Sequence, residues 1–157
     1  MIPDFSPAGW LPPGLHSASL RAVEARFGGS PRREELLGLL REVVNAALFY
    51  PSIKRVLVWG SFVSSKKEPN DLDYSLVVGV EHKRVGIRPE HQPFLTPHVA
   101  RLLHDVDPNY LLIEDFDLER YSMLLDFLIT GRDQQRHGLI ENGLRGERTY
   151  EEVHDLR

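Results

Sequence analysis

Apolar residues recur with two different periods along this chain, and the period changes wherever glycine and proline gather. Leu36, Leu37, Leu39, Leu40, Val43, Val44, Ala47 and Leu48 follow helical spacing and form a wide apolar stripe. Ser30 and Pro31 stand ahead of the stripe as N-cap and first helical residue, with Glu34 and Glu35 in the opening turns. That helix should end near Tyr50, before Pro51. A shorter helix is predicted over residues 16–27, through Leu20, Val23, Ala25 and Phe27, closed by Gly28-Gly29. Residues 53–59 are a β-branched, apolar run ending at Gly60, the pattern of a buried strand. Residues 71–78 read as a second strand, polar at its start and apolar at its end.

Downstream the pattern is weaker. Pro89, Pro93 and Pro97 with His82 and His91 mark residues 81–97 as a long surface loop, and loops of that length are functional or partly disordered. A helix is predicted over residues 97–106, a third strand over 110–113 and a helix over 118–129 that stops at Thr130-Gly131. Residues 131–148 are Arg- and Gly-rich with Leu139-Ile140 as a short apolar pair, and no element is predicted there. The first fourteen residues hold Pro3, Pro7, Pro12 and Pro13, which fix φ and remove donors, so they form an extended arm. Ile2, Phe5, Trp10 and Leu11 give that arm apolar groups with which to pack along the domain.

Composition narrows the class. The 157 residues suffice for one core and are too few for two full domains. There is no cysteine, which excludes disulfides, thiol catalysis and Cys-ligated zinc or iron–sulfur sites. No apolar run approaches the roughly 20 residues that cross a bilayer, and the N-terminus lacks the basic and apolar regions of a secretion signal. A cytoplasmic location without membrane contact is the expectation. The net charge of −4 argues against a general nucleic-acid coat protein. Arg32-Arg33, Lys54-Arg55 and Lys83-Arg84 read as solvated surface pairs, and Lys66-Lys67 differs by lying between two candidate site motifs. None of the seven histidines forms an i,i+4 pair; His82 and His91 could line a site rim.

The candidate chemistry lies in VLVWGSFVSSKKEPNDLDYSLVV, residues 56–78. Side chains alternate along a strand, so Asp71 and Asp73 share a face with Cα atoms about 6–7 Å apart. Two like charges at that range repel by about 2–3 kcal/mol at an effective dielectric near 20. Folding gains nothing from this arrangement, whereas a divalent cation between the carboxylates reverses its sign, and oxygen-only ligands suit Mg²⁺ or Mn²⁺. Gly60 allows a sharp exit and a close approach, and Ser61 adds a hydroxyl and an amide. A short helix starting at Phe62 would turn its first amides toward the same cleft and favour a phosphate. An Asp-x-Asp alone, or a Gly-Ser after a strand alone, recurs by chance. Strand, Gly-Ser, nine residues, Asp-apolar-Asp and strand in this order is more specific. An EF-hand starting at Asp71 is rejected, because its sixth residue is not Gly and its twelfth is not Glu.

With Trp59, Gly60, Ser61, then nine residues, then Asp71, Leu72 and Asp73, the stretch resembles the signature of the nucleotidyltransferase superfamily, the DNA polymerase β-like fold. The opening IPDFSPAGWLPPGLH and the later VEARFG also resemble a poorly characterised group of short bacterial nucleotidyltransferase-like proteins. The resemblance implies an α/β (α+β) fold of minimal nucleotidyltransferase type, a small mixed β-sheet flanked by helices. It implies an arm over residues 1–14, a nucleotidyltransferase-like domain over 15–142 and a tail over 143–157.

The activity implied is Mg²⁺- or Mn²⁺-dependent transfer of a nucleotidyl group from a nucleoside triphosphate, with ATP the expected one. Gly60 and Ser61 would hold the triphosphate, Asp71 and Asp73 the metals, and Lys66 and Lys67 could neutralise phosphate charge. The resemblance also implies a third carboxylate on a later strand. In NYLLIEDFD, Leu111 and Leu112 stand at the aligned place and Glu114 is the nearest candidate, with Asp107, Asp115 and Asp117 just outside. Arg132 and Arg136 could contact a nucleotide or an acidic partner. The acceptor could be a partner protein, such as a toxin, or an RNA, and a homo-oligomer is open. The alternative is a catalytically impaired binding module, such as the antitoxin of a toxin–antitoxin or defence pair.

Overall fold

The computed structural model describes residues 1–104, 106–113, 123, 126, 129–130 and 137–144, with the strand path alone for residues 107–113. In chain order the elements are β1 (Gly14–Ser17), α1 (Leu20–Phe27), α2 (Pro31–Leu48), β2 (Ile53–Trp59), a 3-10 turn (Gly60–Val63) and β3 (Leu72–Gly79). Short 3-10 turns follow, then α3 (Gln92–Leu95), α4 (Pro97–Leu103), β4 (Val106–Ile113) and β5 (Gly138–Gly143). Among the described residues the strands form one five-stranded sheet in the order β1-β5-β2-β3-β4. The sheet is mixed: β5–β2 and β2–β3 are antiparallel, and β1–β5 and β3–β4 are parallel. The expected class, a mixed sheet with helices against it, is the one observed.

α2 forms where its caps predicted. Ser30 Oγ accepts from the Arg33 amide at 3.2 Å, and Pro31 occupies the first helical position, where its missing N–H leaves no bond unmade. Its apolar stripe meets one sheet face. Leu36, Leu37, Leu40, Val43, Val44 and Ala47 pack in one core with Val56, Val58, Leu72, Tyr74, Leu76 and Val78. The alternate strand positions face the other way, where Leu15, Leu57, Val77, Ile129 and Leu139 make a smaller cluster joined by Trp59. Trp59 and Tyr74 are therefore packing residues; the Tyr74 hydroxyl donates to the Phe94 carbonyl.

Four expectations change. The helix placed over residues 16–27 starts at Leu20, because Ser19 caps it and accepts from the Ala22 amide at 3.3 Å. Residues 14–17 are instead the edge strand β1, which lies beside β5. β5 itself had no predicted counterpart. The strand expected from residue 110 begins at Val106. A proline such as Pro108 argues against a central strand, but β4 lies at the sheet edge, where a missing donor is tolerated. Lastly, Arg33 and Arg55 are not surface residues: Arg33 is 7% exposed, and Arg55, 1% exposed, forms an ion pair of 2.8 Å with the fully buried Glu141 of β5.

The arm packs as its composition predicted. Leu11 is in the main core, Phe5 lies against Phe27 with ring centroids 6.2 Å apart, and Trp10 stacks on His137 at 4.1 Å. Of the helix expected over 118–129, Met123, Asp126 and Ile129 are described and helical. Among the described residues, no helix is long and apolar enough to cross a membrane.

Candidate active site

β2 and β3 are paired antiparallel up to Trp59, which stands opposite Asp73. The chain must leave the sheet at once, and it does so through Gly60, whose φ of +74° lies in the left-handed region that side chains disfavour. The missing side chain also leaves room for a neighbour. A Cβ built on Gly60 would sit 2.0 Å from Asp73 Oδ2 and 3.1 Å from its Cγ, so the carboxylate occupies the space that glycine leaves. The Gly-Ser turn and the Asp-x-Asp strand, separate in sequence, are thus in direct contact.

The next residues are anchored from below. Phe62 and Val63 are buried, and the Ser61 carbonyl accepts from the Ser64 amide and hydroxyl at 3.3 and 2.6 Å. The helical start expected at Phe62 is the 3-10 turn that begins two residues earlier, at Gly60. Leu72 and Tyr74 are fully buried in the main core, so alternation assigns Asp73, and Asp71 just ahead of the strand, to the opposite side. Both aspartates are half-buried. Lys66 and Lys67 are exposed on the connecting loop; the Lys66 ammonium donates to Asn70 Oδ1 at 3.1 Å.

On the neighbouring strand, Asp107 stands at the register position opposite Asp73. Glu114, Arg132 and Arg136 lie outside the described residues. Among the described residues, no three His, Cys, Asp or Glu side chains are grouped so as to hold a metal ion on their own. The oxygen-only pair Asp71 and Asp73 still fits Mg²⁺, which commonly takes one or two carboxylates, keeps several waters and completes its shell with substrate phosphates.

His82 and His91 do not line this site. β3 carries the chain about 23–26 Å from Asp71 before it turns, at roughly 3.3 Å per residue. At that far end His82 Nδ1 and Ser52 Oγ are 2.7 Å apart, and His91 Nδ1 lies 2.8 Å from the Tyr50 hydroxyl. Burial holds His82 below the ordinary histidine range, partly opposed by the Glu81 carboxylate.

A family model, described as a family of unknown function (DUF6932), matches residues 3–141. The chain belongs to that family. The match spans the arm, both halves of the candidate site and most of β5. No curated protein matches this DUF6932 member. Among solved structures, the crystal structure of a "putative nucleotidyltransferase" from Sulfolobus solfataricus is similar to it at 18% identity. That likeness covers 60% of this chain and 84% of the other with a TM-score of 0.35, a level that establishes neither a shared fold nor an activity.

Sequence reasoning missed Arg32 and Arg33. They occupy the second and third positions of α2, where a cation opposes the helix dipole by about 0.3–1 kcal/mol. Two arginines at a well-capped helix start break a local rule, and a compensating tertiary role was the available signal.

Proposed function

We propose that this DUF6932 member binds a Mg²⁺–nucleoside triphosphate between the Gly60-Ser61 turn and the Asp71/Asp73 strand, and transfers its nucleotidyl group to an acceptor hydroxyl. The observation that carries this reading is the packing of the Asp73 carboxylate into the side-chain space of Gly60. Strand pairing fixes a negative group beside the turn that would meet a polyphosphate, an arrangement that favours a cation between them.

In this reading Asp71 and Asp73 hold the metal, and bound Mg²⁺ supplies charge neutralisation for the triphosphate. Ser61 offers its hydroxyl and amide to phosphate oxygens, and Lys66 and Lys67 lie on the solvent side of the same loop. Residues in register on adjacent strands lie on one face of a sheet, so Asp107 is the third carboxylate of this proposal, in place of Glu114. Its role is to accept the proton of the acceptor hydroxyl as that oxygen attacks the α-phosphorus and pyrophosphate leaves.

The test is incubation with ATP, CTP, GTP or UTP labelled at the α-phosphate, Mg²⁺ and cell lysate as the source of acceptor. Label transfer that Asp73→Ala abolishes supports the proposal. Absence of transfer, together with no Mg²⁺-dependent triphosphate binding by calorimetry, overturns it.

A further inference from the structure

The loop from Phe62 to Asn70 joins the two halves of the candidate site, yet its own composition gives it little to hold it still. Five of its residues, Ser65 to Glu68 and Asn70, are exposed. Its backbone is nevertheless gripped from two sides. On one side Arg33 reaches out of the first turn of α2 and its guanidinium donates to four carbonyls. Nη1 bonds Phe27 and Phe62 at 3.1 and 2.9 Å, and Nη2 bonds Ser64 at 2.7 Å and Lys66. Next to it, Arg32 donates to the carbonyls of Pro69, at 3.1 Å, and Asn70, the two residues just before Asp71. On the other side the arm is bonded to the loop. The Ser65 amide donates to the Gly9 carbonyl at 2.8 Å, and Trp10 forms an antiparallel bridge with Ser64.

A mere packing role does not account for this arrangement. Taking a guanidinium out of water costs several kcal/mol unless its donors are satisfied, and an apolar side chain of similar volume would fill the space more cheaply. Burial pulls the Arg33 guanidinium below its ordinary range, with Glu68 nearby pushing the other way. The fork of donors does what an apolar group cannot: it ties carbonyls at fixed positions along an irregular segment. Those carbonyls follow one another from Phe62, directly after Gly60-Ser61, to Asn70, directly before Asp71.

The geometry points to Arg33 and Arg32 as positioning residues that lock the 62–70 loop to α2 and thereby fix the spacing between the Gly60-Ser61 turn and Asp71. The inference rests on the nucleotide-binding reading for its purpose, but the lock itself is measurable without any ligand. Lysine at position 33 keeps the charge, yet its single ammonium cannot span the four carbonyls.

The experiment compares full-length wild type, Arg33→Lys and Arg32→Gln by backbone hydrogen exchange without ligand, and by Mn²⁺ titration followed by electron paramagnetic resonance. Arg33→Lys should raise exchange at least tenfold across residues 62–70 while the β2 and β5 amides keep their protection, and should weaken Mn²⁺ binding about tenfold. Arg32→Gln retains the four Arg33 bonds; it should fold with an unchanged melting temperature, loosen residues 69–71 and weaken Mn²⁺ binding severalfold. If Arg33→Lys does not fold, Arg32→Gln alone decides. Unchanged loop exchange and unchanged Mn²⁺ affinity in the folded variants overturn the inference. Loosened loops in the variants, beside a wild type that binds no Mn²⁺ either alone or with ATP, support the lock and overturn the nucleotide reading instead.

Discussion

Replacing Gly60 with alanine perturbs the contact on which the site depends. At φ +74° an alanine carries a left-handed penalty of about 1–2 kcal/mol. Its methyl group would also stand 2.0 Å from Asp73 Oδ2, so the carboxylate must leave its rotamer, at about 0.5–1.5 kcal/mol. The sum, about 1.5–3.5 kcal/mol, corresponds to a fall in melting temperature of roughly 3–14 °C for a chain of this size. The two contributions separate in a double-mutant cycle. In an Asp73→Ala background the clash is gone, since that Cβ lies 3.5 Å from the built methyl position, and only the left-handed penalty remains. Gly60→Ala should therefore cost about 1 kcal/mol less there than in wild type. Urea unfolding followed by the fluorescence of Trp10 and Trp59 measures all four corners. An equal cost in both backgrounds, or a Gly60→Ala protein within about 0.5 kcal/mol of wild type, refutes the packing of turn against carboxylate.

Three further predictions concern other parts of the molecule. Asp107→Asn should reduce nucleotidyl transfer about 100-fold or more, in the range of a lost general base, whereas Glu114→Gln should stay within a fewfold of wild type by the same label assay. Glu141→Gln should destabilise by about 3–5 kcal/mol in urea, because it strips the partner from a buried arginine, and Arg55→Met combined with Glu141→Leu should recover much of that loss. His82 lies below its ordinary value of 6.5 chiefly through burial, so its contribution to stability is complete above that value and is lost as pH falls through the lowered one. The urea midpoint should fall less between pH 7 and pH 5 in His82→Gln than in wild type, on the scale of a single titrating group.

The parts legible in the sequence were those whose signals are local. α2 has its stripe, its serine cap and Pro31 within one window, and β2 and β3 are apolar runs bounded by Gly60 and Asp71. β5 has no such signal, because its order depends on distant partners. Glu141 is tolerated in the middle of a buried strand only because Arg55 and Ser17 meet it there, the serine hydroxyl donating at 3.1 Å. Asn142 likewise finds the Ala18 carbonyl at 2.9 Å. The place of Asp107 was hidden for a related reason. Pro108 concealed the start of β4, and strand register, which brings Asp107 opposite Asp73, is set by pairing and cannot be counted from the apolar residues alone. Arg33 looked like surface because three of the four carbonyls it serves belong to a loop some thirty residues away in sequence.

In the proposed site Asp71, Asp73 and the Gly60-Ser61 turn together hold a metal–triphosphate. The decisive measurement is calorimetric titration of the four nucleoside triphosphates into wild type, Asp73→Asn and Asp71→Asn, with Mg²⁺ and with EDTA. At least one triphosphate should bind saturably, require Mg²⁺ and weaken at least tenfold in each variant, about 1.4 kcal/mol or more. Wild-type binding that is indifferent to EDTA and to both substitutions, or no binding of any triphosphate, would contradict the proposed site.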